Sequence, residues 1–229
     1  MRKAMPSPRQ IRDALESNSH ALLPGLLPPA ACVALRERYE QPEGFRRTVD
    51  MAKHGFGRGQ YRYFDHPLPE PVTELRRELY ALLARTANGW INGAADEYPP
   101  ESETFIELCH RHGQQRPTPL LLRYRAGDYN CLHQDTYGEI CFPLQVVVLL
   151  SRPGEEFTGG ELILTERRPR RQSRPIVVPL SQGDAAVIPV THRPEASPRG
   201  TRKVEVRHGV SEVRSGTRTS LGIIFHDAV

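Results

Sequence analysis

"FPLQVVVLLSRPGEEFTGGELILTE", residues 142–166, decides the fold. Two short β-rich runs, "FPLQVVVLLS" and "GELILTE", flank the turn chemistry of "RPGEEFTGG". The same alternation continues outward. "PLLLRY" comes before it, and "PIVVPL", "DAAVIPV", "KVEVRHGV" and "RTSLGIIFH" come after. Between these runs lie "AGD", "SQGD", "HRPEASPRG" and "RSGT", all rich in turn formers. So many short strands in the stretch from residue 117 onward indicate a sandwich or jelly roll. The arginine-rich "ERRPRRQSR" at 166–174 lies inside this region and reads as a long hairpin tip.

Upstream of residue 117 the pattern is helical. "SPRQIRDALESN" carries a serine cap and an early proline, then apolar residues at helical spacing. "PPAACVALRERYE", "EPVTELRRELYALLARTANGWING" and "SETFIELCHRHG" repeat the pattern, the last with a glycine stop. "MAKHGFGRGQYRYFDHPLP" shows no clear helical period. The expected organisation is α+β in one integrated domain. Residues 1–116 form a helical support region with a substrate-loop segment, and residues 117–229 form the β core, with the helices packed on one sheet.

Composition narrows the class. The 229 residues are 38% hydrophobic and 25% charged, a globular balance. The net charge of +4 tolerates a polyanionic partner without requiring one. Cys32, Cys109, Cys131 and Cys141 form no CxxC pair and read as reduced, partly buried thiols of a cytoplasmic protein. The basic start "MRKAMPSPRQ" has no apolar run behind it, so no signal peptide is expected, and no stretch is long enough to span a bilayer.

The chemistry starts at "CLHQDTYGE", residues 131–139. Residues i and i+2 of a strand share a face, so His133 and Asp135 can present an imidazole and a carboxylate to one point. A facial triad suited to ferrous iron needs a third ligand, and His208 at the end of a strand is the candidate. Arg218 follows ten residues later, with a turn signal in "SEVRSGT" that folds it back beside His208. A guanidinium there suits the far carboxylate of an iron-bound keto acid. Tyr124 lies before the turn "AGD" and can reach the same carboxylate. Taken singly, each residue has a plainer explanation: a chance HxD pair, a structural histidine, a surface salt bridge. His192 and His226 are read as structural.

In "HQD" at 133–135, "RHGV" at 207–210 and "GTRTSL" at 216–221, the chain resembles the Fe(II)/2-oxoglutarate-dependent dioxygenases over roughly residues 118–228. "FTGGELILTE" is similar to a strand of the prolyl-hydroxylase-like members. The resemblance implies a double-stranded β-helix (jelly roll, cupin-like). It implies iron on His133, Asp135 and His208, 2-oxoglutarate on Arg218 with Tyr124, and O2 as oxidant, with succinate and CO2 as co-products. "RYRAGDYNCLHQD" resembles the matching segment of AlkB-type nucleic-acid dealkylases, and the whole chain resembles a bacterial family expected to act on damaged bases. That implies hydroxylation of an N-alkyl carbon and release of an aldehyde.

Residues with the chemistry to bind such a substrate are present. "HGFGRGQYRYFDH" interleaves Phe56, Tyr61, Tyr63 and Phe64 with Arg58 and Arg62, a mix that suits single-stranded nucleic acid or a flipped base, or else covers the seam between helices and barrel. The hairpin arginines, Arg168, Arg170 and Arg171 among them, can track a phosphate backbone or meet an acidic protein. Tyr137 and Glu139 are candidates for the substrate mouth. A peptide hydroxylase of prolyl-hydroxylase type, a small-molecule hydroxylase and a non-catalytic module are the competing readings. The sequence leaves the oligomeric state open.

Overall fold

The structure is a computed structural model that describes residues 5–90, 98–198 and 200–229. Among the described residues, four α-helices run through the first half: α1 (Pro8–Asn18), α2 (Pro29–Arg38), α3 (Glu70–Gly89) and α4 (Ser102–Arg111). Ser7 caps α1. Its hydroxyl accepts from Gln10 N at 3.3 Å, and the Gln10 side chain accepts from Ser7 N at 2.8 Å. The stretch "ING" that the sequence adds to α3 lies outside the described residues.

Eight strands form the barrel: β5 (Leu120–Arg125), β6 (Tyr129–His133), β7 (Leu144–Leu149), β9 (Leu162–Arg167), β10 (Arg174–Val178), β11 (Ala185–Pro189), β13 (Gly200–Val210) and β14 (Val213–Ile224). They alternate between two sheets. β11, β7, β14 and β5 are neighbours in the larger sheet, and β10, β9, β13 and β6 in the smaller one. That is the double-stranded β-helix.

The first 116 residues also supply strands. β1 (Ala21–Leu23) pairs with β11, and β4 (Gln60–Phe64) with β5. β2 (Phe45–Asp50) pairs with β4 and closes the larger sheet, while the short β3 (Gly57–Arg58) pairs with β6. The stretch without a helical period therefore opens with a 3-10 turn at Met51–His54 and then supplies two strands, with Tyr61, Tyr63 and Phe64 on β4 in keeping with the β preference of tyrosine and phenylalanine.

Two further short strands complete the sheets. β8 (Phe157–Gly159) lies on β14, and β12 (His192–Ser197) lies on β13. β12 corrects the reading of "HRPEASPRG" as turn. It has a partner on one side only, so Pro194, which has no N–H to donate, costs no ladder bond on the free side.

Side-chain alternation explains how one sheet serves two cores. On β7, Leu144, Val146 and Val148 face the helices and pack with Ile11, Leu79, Leu83 and Phe105. Gln145 and Val147 point the other way, into the barrel. On β14, Leu221 and Ile223 join the helical core, while Arg218, Ser220 and Ile224 face inward. Each fully buried Leu or Val contributes about 1.5–3 kcal/mol, so the register that fills the helical face also fixes which side chains line the barrel.

Candidate metal centre

β6 ends at His133, and Asp135 lies just beyond it. The i, i+2 rule of a strand therefore does not place Asp135; the chain leaving the strand does. His133 is the cross-strand partner of His208 on β13. Their rings stand 4.2 Å apart. His133 Nε2 is 3.5 Å from Asp135 Oδ1, and His208 Nε2 is 3.2 Å from Oδ2. Ligand atoms of all three lie within 4.8 Å of one another.

Neighbouring groups set the state of these ligands. His133 Nδ1 is 2.8 Å from Cys131 O. A proton held there leaves the Nε2 lone pair free for a metal. Burial and the adjacent His208 push the His133 pKa down, which favours the neutral, ligating form. Burial alone would raise the Asp135 carboxyl, but the hydrogen bond and charge of His208, then His133 and Tyr137, outweigh it and hold it well below the usual carboxylate range. Tyr137 Oη donates to Asp135 Oδ1 at 2.6 Å. Gln145 Nε2 lies 3.3–3.4 Å from both ring nitrogens of His208. Gln145 was missed in the sequence, although a lone polar residue in "LQVVVL" was its visible signal.

The triad lines a cavity of about 350 Å³, and Arg218 and Tyr124 line the same cavity. The connection between β13 and β14 is at Ser211–Glu212, the start of "SEVRSGT" rather than its middle, and β14 pairs with β5 and β7, which sends Arg218 into the barrel rather than along a hairpin with β13. Room for Arg218 comes from Gly160, at φ 63°, where a Cβ would lie 2.9 Å from Arg218 Cδ. Gly59, at φ 122°, does the same for the Tyr124 ring.

Arg218 is 1% exposed and bonds Ser220 Oγ at 3.0 Å. It has no acidic partner at ion-pair distance among the described residues, and its Nε is buried without an acceptor. Burial pushes its pKa down, against the pull of Tyr124 and Glu161. The Tyr124 hydroxyl is buried with no bond of normal geometry, although Asn130 faces it. A buried guanidinium and phenol with unused donors fit a carboxylate. Two imidazoles and one carboxylate beside them fit Fe(II) with positions left open. Fe(II) and 2-oxoglutarate therefore match what this cavity offers.

The other site candidates divide. Tyr61 and Tyr137 line the cavity, and Phe56 and Leu132, both more than 40% exposed, sit at its mouth. Tyr63 stands against Tyr61 and Tyr137, with ring centroids at 5.3 and 6.4 Å. Arg62, on the opposite face of β4, donates to Tyr39 O at 2.8 Å and lies over the Tyr39 ring. Phe64 is in the core, and Glu139 is exposed beside His112. Cys131, expected partly buried, is exposed at the mouth.

The hairpin arginines are away from the cavity. Arg168 donates to Glu166 at 2.9 Å and to Glu195 at 2.7 Å, and the bonds from Arg168 and then Arg202 hold Glu195 down to about 2. Arg170 and Arg171 are exposed at the hairpin tip. His226 is buried and accepts from Phe142 N at 3.2 Å, and His192 is exposed at the start of β12.

Among solved structures, the chain is similar to a prolyl-4-hydroxylase of Pseudomonas putida, with TM-score 0.56, 14% identity, and 96% of this chain and 100% of that one covered. It is similar to a 2OG-Fe(II) oxygenase family oxidoreductase of Burkholderia pseudomallei, with TM-score 0.56, 19% identity, and 100% and 96% covered. The uncharacterized protein Rv2227 of Mycobacterium tuberculosis is 45% identical over 167 residues, 72% of each chain. A family model described as "Oxygenase, catalysing oxidative methylation of damaged DNA" matches residues 59–228. The chain is an oxygenase of that family, built on the double-stranded β-helix of the 2-oxoglutarate–Fe(II) oxygenases.

Proposed function

We propose that the protein is an Fe(II)- and 2-oxoglutarate-dependent oxygenase that removes alkyl groups from damaged bases in nucleic acid. The observation that carries this is one cavity holding both the His133–Asp135–His208 triad and the buried Arg218, which has no acidic partner among the described residues. His133, Asp135 and His208 would hold the metal. Arg218 and Tyr124 would take the far carboxylate of 2-oxoglutarate, which fixes the co-substrate in one orientation. When bound, iron with 2-oxoglutarate and O2 supplies the oxidising power to insert oxygen into a C–H bond, leaving succinate and CO2.

The protein's own groups position the target. Tyr61, Tyr137 and Phe56 offer flat apolar faces beside the triad, suited to a base stacked at the mouth. Leu120, Leu122 and Ile224 line the wall and exclude water. A hydroxylated N-alkyl carbon is a hemiaminal. Its C–N bond breaks as the hydroxyl proton passes to the nitrogen, which releases an aldehyde and restores the base.

The family description supports a nucleic-acid substrate. The prolyl-hydroxylase relatives of the fold make a peptide the alternative. The test is aldehyde release from a methylated single-stranded oligonucleotide with Fe(II), 2-oxoglutarate and O2, comparing wild type with His133→Ala. Aldehyde from wild type alone supports the proposal. Iron-dependent succinate without aldehyde from any methylated oligonucleotide, together with hydroxylation of a proline peptide, replaces it with the peptide reading.

A further inference from the structure

A second groove opens from the cavity mouth. It shares Phe56, Tyr61 and Tyr137 with the cavity and continues past Tyr63 to Arg46, Arg47 and Arg116. Those three arginines also line the next hollow along, which runs to His66. The strip is continuous from the aromatic mouth outward. Arg46 and Arg47 sit on β2, the edge strand of the larger sheet, and Arg116 comes from the segment leading into β5.

These arginines are set apart by gathering along one groove. None of the three forms an ion pair among the described residues. Arg46 uses Nε on Pro117 O at 2.9 Å and lays its guanidinium 4.4 Å over the Tyr63 ring, which leaves its two terminal nitrogens without an acceptor. Arg47 and Arg116 are exposed, with no side-chain bond. Asp227 acts on Arg46 from a distance but is already bonded to Arg76 at 2.7 Å. Asp65 lines the outer hollow and is the acidic side chain there. Like charges that outnumber the carboxylate beside them are unfavourable unless an anion joins them. Charges on an edge strand also discourage strand pairing, but that role needs neither clustering nor aromatic neighbours.

We propose that Arg46, Arg47 and Arg116 form the phosphate track of a single-stranded DNA substrate, holding the backbone beside the nucleotide whose base enters the metal cavity. This rests on the nucleic-acid reading above and deepens it. Spacing supports the assignment: the aromatic faces lie between the triad and the arginines, the order in which a strand presents a splayed base and its flanking phosphates.

The test compares two charge reversals in the iron- and 2-oxoglutarate-loaded enzyme. Arg47→Glu/Arg116→Glu alters the track. Arg77→Glu/Arg85→Glu makes the same net change on exposed positions of α3. Binding of a fluorescent methylated single-stranded oligonucleotide is measured against salt, alongside aldehyde release from that oligonucleotide and from the free methylated nucleoside. The expected result is at least about tenfold weaker binding for the track variant, with a salt slope lower by about 0.7 for each arginine lost. Nucleoside turnover stays unchanged, and the α3 variant stays near wild type.

Equal weakening in both variants, with wild-type aldehyde release intact, overturns the track and leaves the nucleic-acid reading standing. The same holds if neither variant weakens binding. No oligonucleotide binding and no aldehyde from wild type overturns both. Binding of an acidic peptide is measured in parallel, and its loss in the track variant, with oligonucleotide binding unchanged, transfers the surface to a protein partner and overturns the proposal.

Discussion

Among the described residues, two clusters bring two histidines and an aspartate within ligand distance: His133, Asp135 and His208, and His66, His110 and Asp227. The donors are the same and the surroundings are not. Asp227 Oδ1 receives the buried Arg76 guanidinium at 2.7 Å, and Arg76 also donates to Phe225 O at 2.7 Å. That carboxylate is already neutralised. Its Oδ2 faces His110 at 3.1 Å, and the side chains of His110 and His66 are 39% and 47% exposed. Asp135 has no arginine partner among the described residues, and it opens onto a cavity that also holds Arg218. Donor atoms in reach do not make a metal centre; the neighbouring charge and the enclosed space decide it.

The sharpest contrast comes from deleting one ligand in each cluster. Asp135→Ala or His208→Ala is expected to lower iron affinity and 2-oxoglutarate turnover by more than about 100-fold, the upper end of what removing a mere supporting group does. His110→Ala should leave both near wild type. Metal content and succinate formation read the outcome, and equal losses would erase the distinction.

Asp227→Ala should act on stability instead. Leaving Arg76 buried and unpaired costs about 3–5 kcal/mol, seen as a lower denaturant midpoint. Arg218→Met should raise the KM for 2-oxoglutarate by about 100-fold, the loss of a charge-assisted contact of about 3 kcal/mol, with little effect on iron binding. A change in iron affinity alone would place Arg218 with the metal instead.

The pH dependence near Asp227 follows from His226, pushed down to about 4 by burial and the nearby Arg76. Its folded value lies below its unfolded one of 6.5. The unfolded chain therefore binds more protons between about pH 4 and 6.5, and stability rises with pH across that window. The contribution is fully present above about 6.5 and is lost as pH falls toward 4, at most about 3 kcal/mol. Chemical denaturation at pH 7 and 4.5 measures it, and His226→Asn should flatten that slope. The mildest effect is expected from Tyr137→Phe, which removes the bond to Asp135 and should weaken iron binding about tenfold.

The candidate metal site was legible because its signals are local or depend on strand ends. "HQD" is contiguous, and His208 and Arg218 occupy runs whose β character is plain in "KVEVRHGV" and "RTSLGIIF". The barrel was legible for the same reason, since its strands fall between turn formers. What escaped depends on pairing across the fold. Glu195 neutralises Arg168 because β12 and β9 both lie on β13, and "HRPEASPRG" gave no strand signal. Arg46 and Arg116 are 70 residues apart, and no pattern in either segment joins them. The glycine-spaced aromatics were visible, but only the register of β4 on β5 sorts Tyr61 and Tyr63 to the cavity side and Arg62 to the other.

The tie between α1 and the smaller sheet bears on how the chain folds. Ser19 Oγ donates to the buried Glu166 at 2.6 Å and accepts from Arg193 at 2.7 Å, across sequence separations of 147 and 174 residues. β1 and β11 are joined over a similar distance. Contacts this remote form only after long loops have closed, so the chain belongs with slow folders, reaching its native state in roughly milliseconds to seconds. β6 and β13, which carry the candidate ligands His133 and His208, meet in the same closure. A nascent chain that has emerged only to β11 lacks both His208 and Arg218, so the candidate site is brought together only once β13 and β14 have followed.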